Sequence, residues 1–317
     1  MANLTTNHDL IADALFRAGE PTDGTSDFYQ QSIINYNRVY QSLCSGGMEL
    51  AKDVDETWWW LRKPTPGVLT LQPAFLGSAS VTFNSNAVVL SNPPAYSMAK
   101  WYFYIQNTFG DVFRVTAHTG GSGVVTLDSP YTGATNAAAA VRIIQLEYDL
   151  ASDLRSIIGP MSINSDDFQI DGCELESLLD RYPTFTVQQG PPELFAMVGE
   201  QRVRFSHYPG DTGDLIFRVE YNYLVVPTDL ADDANVPLVP REYRRVLSDY
   251  TTMWILNEKN DPRAGAMGQS AASALTAMAR ENRRRLTKMG HKFGQLFSRQ
   301  DQLVRRIPQS TSGLYYP

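Results

Sequence analysis

The chain has 317 residues, 43% of them hydrophobic and 19% charged, with a formal net charge of −7. This places it among globular proteins with apolar mass for a sizeable core, and fits two compact units or one domain carrying an insertion. Two cysteines, Cys44 and Cys173, exclude a disulfide framework and a Cys-based zinc site, and read as small buried hydrophobes in a protein assembled in a reducing cytosol.

The N-terminus reads as helical and shows no basic region followed by an apolar run, so no secretory signal is expected. Leu10, Ile11, Ala14, Leu15 and Ala18 recur at helical spacing, and Gly19 supplies a stop. After a Pro-Thr-Asp-Gly turn, Thr25, Ser26 or Asp27 caps a second helix carrying Ile33, Ile34, Tyr36, Tyr40 and Leu43, which Gly46-Gly47 ends. Trp58-Trp59-Trp60 marks a boundary, because Pro64 and Pro66 break any helix immediately afterwards.

From Val68 to Ile144 short alternating runs take over: Ser80–Phe83, Trp101–Ile105, Val112–Val115, Val124–Leu127 and Val141–Ile144. Gly, Asn, Ser and Pro clusters separate them at roughly eight to twelve residues, the pattern of a small sandwich or barrel. The alanine run after Asn136 is too short to stand alone as a helix. A second β-rich region over 157–226 carries Leu194–Val198, Arg202–Phe205 and Leu215–Tyr221, with turns at Gly199-Glu200 and Pro209–Gly213 and a brief helix near Glu174–Asp180. Helix returns after Pro240, where Val246, Leu247, Tyr250, Trp254 and Ile255 make one apolar stripe. Asp261-Pro262 breaks it, and a long Ala-rich helix is expected over Arg263–Met289. No run of apolar residues is long enough to span a membrane.

The end of the chain is the most unusual part. From Met278 to Arg306 nine Lys/Arg face two acids, Glu281 and Asp301, a local balance of +7 that leaves −14 on the rest. Apolar anchors are sparse there (Phe293, Leu296, Phe297, Leu303, Val304, Ile307), and the chain closes on Leu314-Tyr315-Tyr316-Pro317. Anchors so far apart bury little on themselves and would bury well in another protein's groove. The basic run suits either nucleic-acid phosphates or acids on a protein partner. The acidic body argues against a wrapping DNA binder.

No catalytic constellation stands out. His8, His118, His207 and His291 lie far apart without metal-ligand spacing. Gly120-Gly121-Ser122-Gly123 has the look of a phosphate loop, but no Lys-Ser or Lys-Thr follows, and its place between two β runs reads as a hairpin turn. The acidic groups Asp166, Asp167, Asp171, Glu174 and Asp229, Asp232, Asp233 lack calcium-loop spacing and read as solvated loops. A wall-degrading hydrolase would need two convergent carboxylates, for which Asp166 or Glu174 with Asp229 is the best pair.

The stretches Val124–Gly133 and Ile143–Arg155 resemble tailed-phage head-to-tail connector, or adaptor, proteins. In that family a β insert ends in a hairpin of the first kind and returns through a segment of the second. Arg204–Gly210, Val219–Tyr223 and the approach Val239–Glu242 are similar as well, and the N-terminal helix pair is in place. The resemblance covers about residues 5–290 as an order of elements. Ala151 departs from it, standing where the family often has proline.

The resemblance implies an α+β fold in which a helical bundle from the N- and C-terminal parts carries an inserted β-sandwich or barrel and an extended C-terminal arm. The expected divisions are 1–62 and 239–290 for the helical core, 63–150 for the β insert, 151–238 for a β-rich core region and 291–317 for the arm. It also implies a non-enzymatic ring subunit, commonly one of twelve, in the virion neck, assembled in the host cytoplasm. The ring would join the portal protein to tail, nozzle or tail-fibre proteins and extend the channel for double-stranded DNA without sequence-specific contact, membrane or cofactor. The portal-binding residues would be Arg283, Arg284, Arg285, Lys292, Phe293, Phe297, Arg299, Arg305, Arg306, Leu314, Tyr315 and Tyr316. If extended, the arm beyond Met289 reaches roughly 90 Å at about 3.3 Å per residue. A stopper, tail-tube or nozzle protein is the neighbouring reading; the paired helical ends favour an adaptor, because tube and nozzle proteins are usually richer in β-structure.

Overall fold

A computed structural model describes residues 5–304 except 25, 46–57, 107–110, 164–167, 184–188, 212–215 and 231, and for 286–304 describes the backbone alone. The chain is α+β and divides into two compact units, residues 1–61 with 227–317, and residues 62–226.

The first unit is helical. Helix α1 (Asn7–Ala18) starts at a capping box between Thr6 and Asp9 and stops at Gly19, whose φ of 78° is left-handed. It buries Leu10, Ile11, Ala14, Leu15 and Ala18, the stripe that the spacing predicts. Helix α2 (Asp27–Ser45) opens with Ser26 Oγ accepting the Tyr29 backbone N–H at 3.2 Å. Thr25 and Gly46-Gly47 lie outside the described residues. The buried face of α2 follows Tyr29, Tyr36 and Tyr40, at i, i+7 and i+11, with Ser32, Val39 and Leu43. Ile34, expected on that face, stands round the helix from the tyrosines and is 55% exposed.

Helix α3 (Leu175–Arg181) belongs to the other unit. Helix α4 (Arg244–Glu258) packs against α1, α2 and a fifth helix, so every residue from Val246 to Met253 is buried. The expectation of a single apolar stripe is therefore corrected. Polar residues are buried alongside apolar ones, and Trp254, expected inside, is 45% exposed. Most of these buried polar side chains have partners. Thr251 and Thr252 hydroxyls donate to the carbonyls of Leu247 and Ser248, Ser248 donates to Asp13, and Asp249 pairs with Arg17.

The segment entering α4 is fastened to α1 and α2 by its backbone and by its acidic side chains. Asn7 Nδ2 donates to Leu230 O at 2.8 Å, Leu230 N donates to Asn37 Oδ1 at 2.8 Å, and Tyr29 OH donates to Asp233 Oδ1 at 2.6 Å. Asp229 accepts from Gln41 Nε2 at 2.9 Å. The acids of this loop thus help to hold the helices.

Helix α5 (Arg263–Val304) has 42 residues, about 63 Å of helix at ~1.5 Å per residue. Ala264, Ala271, Leu275, Met278 and Ala279 are buried, and α5 comes close to α4 at Gly268, where a Cβ would lie 3.0 Å from Met253 Sδ. The helix runs past its expected end at Met289, so residues 291–304 are helical backbone where an extended arm was expected. No proline interrupts the chain between Pro262 and Pro308, and Lys, Arg, Gln and Leu are good helix formers. Residues 305–317 lie outside the described residues.

The second unit holds two sheets. Strand β1 (Gly67–Leu71) joins the larger sheet; β2 (Phe75–Val81), β3 (Ala87–Leu90), β4 (Tyr102–Ile105), β5 (Phe113–His118), β6 (Val124–Leu127) and β7 (Asn136–Ile144) close an antiparallel barrel in the order β2-β3-β6-β5-β4-β7. Its interior is filled by side chains such as Val88, Phe103, Phe113, Val125, Val141 and Ile143. The alanine run after Asn136 is strand, not helix. The glycines before β6 make the hairpin turn: Gly121 has φ 77°, and a Cβ on Gly120 would fall 2.0 Å from Ala95 O.

The seven-stranded sheet adds β8 (Glu147–Asp149), β9 (Leu154–Ile163), β10 (Phe168–Gly172), β11 (Leu194–Met197), β12 (Arg202–Phe205) and β13 (Phe217–Val225), ordered β1-β13-β9-β10-β11-β12-β8. Among the described paired strands only β10–β11 is parallel, and α3 lies on the crossover that a parallel pair requires. The departure at Ala151 has a physical basis here: its N–H donates to Tyr221 Oη at 2.9 Å, which proline cannot do. Cys44 is buried as expected, whereas Cys173 is only partly so, its thiol 3.6 Å from Phe195 O.

Barrel and sheet meet at one buried carboxylate. Glu147 is 6% exposed; it accepts from Tyr102 Oη and from Arg114 Nη2 at 2.7 Å, with Arg202 at 3.7 Å and Arg204 at 4.0 Å. Burial, then Glu147, pushes the Tyr102 hydroxyl up to about 12. Nearby, the Lys63 ammonium and Tyr223 hydroxyl hold the Asp153 carboxyl below its ordinary value. A depressed folded-state pKa makes the ionised form the stabilising one, so the contribution is complete above the unfolded value and lost as pH falls through the folded one. The stability gap between wild type and Asp153→Asn should therefore shrink as the pH falls from neutrality through and below the ordinary carboxylate range. Urea melts at stepped pH check this, and a gap constant over that range would refute it.

Candidate functional site

The basic stretch is built onto the helical unit at one place. Trp58 is buried at the start of a 3-10 turn (Trp59–Leu61), its indole Nε1 donating to Leu43 O at 2.5 Å, and it stacks on Trp60 at 4.6 Å. Trp60 meets Trp59 edge-on at 6.1 Å and Tyr243 at 6.4 Å. This aromatic step holds α5 at two points. Asn282, 1% exposed, accepts the Trp59 backbone N–H through Oδ1 at 3.0 Å. The Arg285 guanidinium lies 4.5 Å from the Trp59 ring centroid, a cation–π arrangement. Arg285 also pairs with Glu281 at 3.1 Å and reaches Glu242 at 3.8 Å.

The three consecutive arginines therefore divide. Arg285 turns inward and fixes the bearing of α5, while Arg283 and Arg284 are exposed, together with Arg280 one turn before Arg284. An exposed basic helix face over an anchored base can present charge at a set direction rather than on a loose tail. Lys292, Phe293, Phe297 and Arg299 fall on the α5 backbone, with side chains outside the described set. Arg305, Arg306, Leu314, Tyr315 and Tyr316 lie outside the described residues altogether.

Sequence reasoning missed the holders of this face, Trp59, Asn282 and Glu242. The tryptophan triplet marked only a boundary in it, and a lone Asn inside an Arg-rich run gives no periodic signal. The triplet was the available clue, because exposed linkers rarely spend three tryptophans.

Asp171 and Glu174 lie in the β-rich unit and Asp229 in the helical unit; Asp166 and Asp167 lie outside the described residues. Among the described residues no group of three or more His, Cys, Asp or Glu could hold a metal ion, and no helix is long and apolar enough to cross a membrane. His118 is buried in the barrel, its Nδ1 accepting the Met98 N–H at 3.1 Å.

A family model described as SU10 adaptor protein matches residues 128–291, just over half of the chain. The match begins at the β6–β7 connection and ends in α5, taking in the larger sheet except β1, together with α4 and the Arg283–Arg285 run. No curated protein matches the chain.

Proposed function

The chain belongs to the SU10 adaptor protein family, a family of phage head-tail adaptors, and we propose from that membership that it is a structural subunit of a phage neck. That family is structural rather than enzymatic. In this reading several copies, twelve by the family's habit, form a ring in the virion that joins the portal protein to the tail or nozzle. The ring extends the channel through which double-stranded DNA passes without sequence readout. The observation that carries the reading is the anchored basic face of α5 on a chain whose remaining residues are strongly acidic.

The exposed arginines at the root of α5 steer the helix and set its register against acids of the portal. Beyond them Lys292, Phe293, Phe297, Arg299, Arg305, Arg306, Leu314, Tyr315 and Tyr316 supply the docking contacts, aromatic side chains being the usual energetic anchors of an interface. Over 291–304 the segment advances about 21 Å at ~1.5 Å per residue, so reach comes from a helix and not from an extended thread.

Deleting residues 291–317 should weaken capture by purified portal about a hundredfold or more, with the unfolding transition of the remaining chain unchanged. Pull-down with portal, beside thermal melts, reads both. Full-strength capture by the truncated chain would refute the docking role, and capture by tail proteins alone would favour a stopper or nozzle subunit.

A further inference from the structure

The barrel lacks a feature that soluble surfaces ordinarily have. From Phe75 to Ile144 the chain carries only Lys100, Asp111, Arg114, Asp128 and Arg142 as charged residues, against 19% charge in the whole protein. All five have partners within the unit. Lys100 pairs with Asp149 at 2.8 Å, Arg114 with Glu147 at 2.7 Å and Arg142 with Asp211 at 3.1 Å. Asp128 accepts the Arg114 N–H at 3.0 Å, and Asp111 accepts the Thr132 hydroxyl at 2.6 Å.

What is left on the outer side of β2, β3 and β6 is neutral. Ser80, Val89 and Val124 sit in one register row across the three strands, with Ala87 and Thr126 in the next. Val89 and Val124 are each 49% exposed, and Phe83, in the turn leaving β2, is 64% exposed. A row of small and β-branched side chains lets another sheet approach to about 10 Å. The interior of an interface is likewise where charge is depleted.

The net charge of −7 names the occupant. Copies of an acidic chain repel one another, and like charges placed across a contact are costly, so copies meet best where neither carries charge. We propose that this face of the barrel packs against the barrel of a second copy, forming part of the contact between neighbouring subunits. The inference rests on the ring reading above and assigns it a surface.

The test uses the full chain and measures self-association by sedimentation velocity over micromolar to hundreds of micromolar concentration. Two charged variants, Val89→Glu with Val124→Glu and Val89→Lys with Val124→Lys, are compared with the neutral pair Val89→Thr with Val124→Thr. Circular dichroism melts verify that each folds. A buried neutral contact rejects either sign of charge, so both charged variants should associate about tenfold more weakly or worse, with the threonine pair close to wild type. Loss in the glutamate variant alone would mean general repulsion between acidic chains and would overturn the assignment. Unchanged association in both charged variants would overturn it too, while leaving the ring intact. A wild-type chain that stays monomeric throughout would overturn the assignment and the ring reading together.

Discussion

Glu147→Gln should destabilise the β-rich unit by about 3–5 kcal/mol, the usual cost of removing one partner from a buried ion pair. The reason lies with Arg204, whose side chain is 5% exposed and has nowhere to turn. Arg114 and Arg202, at 37% and 29%, can swing toward water. Arg204 Nη1 donates to Tyr102 Oη at 3.2 Å, and that hydroxyl in turn donates to Glu147. Neutralising the carboxylate therefore strips the counter-charge from a group that stays buried. Urea unfolding near neutral pH measures the loss. Arg204→Met on the Glu147→Gln background should recover part of it, because the stranded cation is gone. A glutamine variant within ~0.5 kcal/mol of wild type would show that the arginines, not the glutamate, organise the junction.

Trp58→Ala should cost the helical unit about 3–5 kcal/mol, the range for truncating a large buried aromatic. Its indole is 1% exposed and closes a hydrogen bond to the end of α2. The consequence reaches further than the cavity. Trp58 supports Trp60, Trp60 supports Trp59, and Trp59 carries Arg285 and Asn282 of α5. Faster hydrogen exchange along α5 around Asn282 should accompany the loss of stability, and if α5 docks as proposed, portal capture should fall with it. If those α5 amides keep wild-type protection while stability drops, the tryptophans hold α2 but not α5.

Some of this was readable in the residues and some was not, for definite reasons. The α1 stripe and its Gly19 stop, the hairpin turns at Gly120-Gly121 and Gly199-Glu200 and the exclusion of helix at the alanine run follow local rules of spacing and backbone freedom. Pro209–Gly213, expected as a hairpin turn, instead lies between β12 and β13, which do not pair with each other. Ile34 and Trp254 were misplaced because hydrophobicity alone does not choose a face. On α2 the tyrosines at 29, 36 and 40 outweigh the isoleucine, and α4 is enclosed by three helices. The continuation of α5 beyond Met289 was hidden by Gly290 and Gly294, which resemble stops but stand in a run without proline. The inward turn of Arg285 depends on a tryptophan far back in the chain, and no local pattern reports that.

The discontinuity of the helical unit bears on how the protein is made. α1 and α2 emerge from the ribosome first, yet the helix that covers their apolar faces ends at Glu258. At ~5–20 residues per second, α2 waits about 10–40 s for that cover. During that interval residues 62–226 are synthesised in full and can complete their own core. The nascent N-terminal pair thus keeps its apolar faces uncovered for that interval, a state open to aggregation. A circular permutant that places 227–304 directly before α1 should refold faster, since it turns the longest-range closure of the chain into a local one.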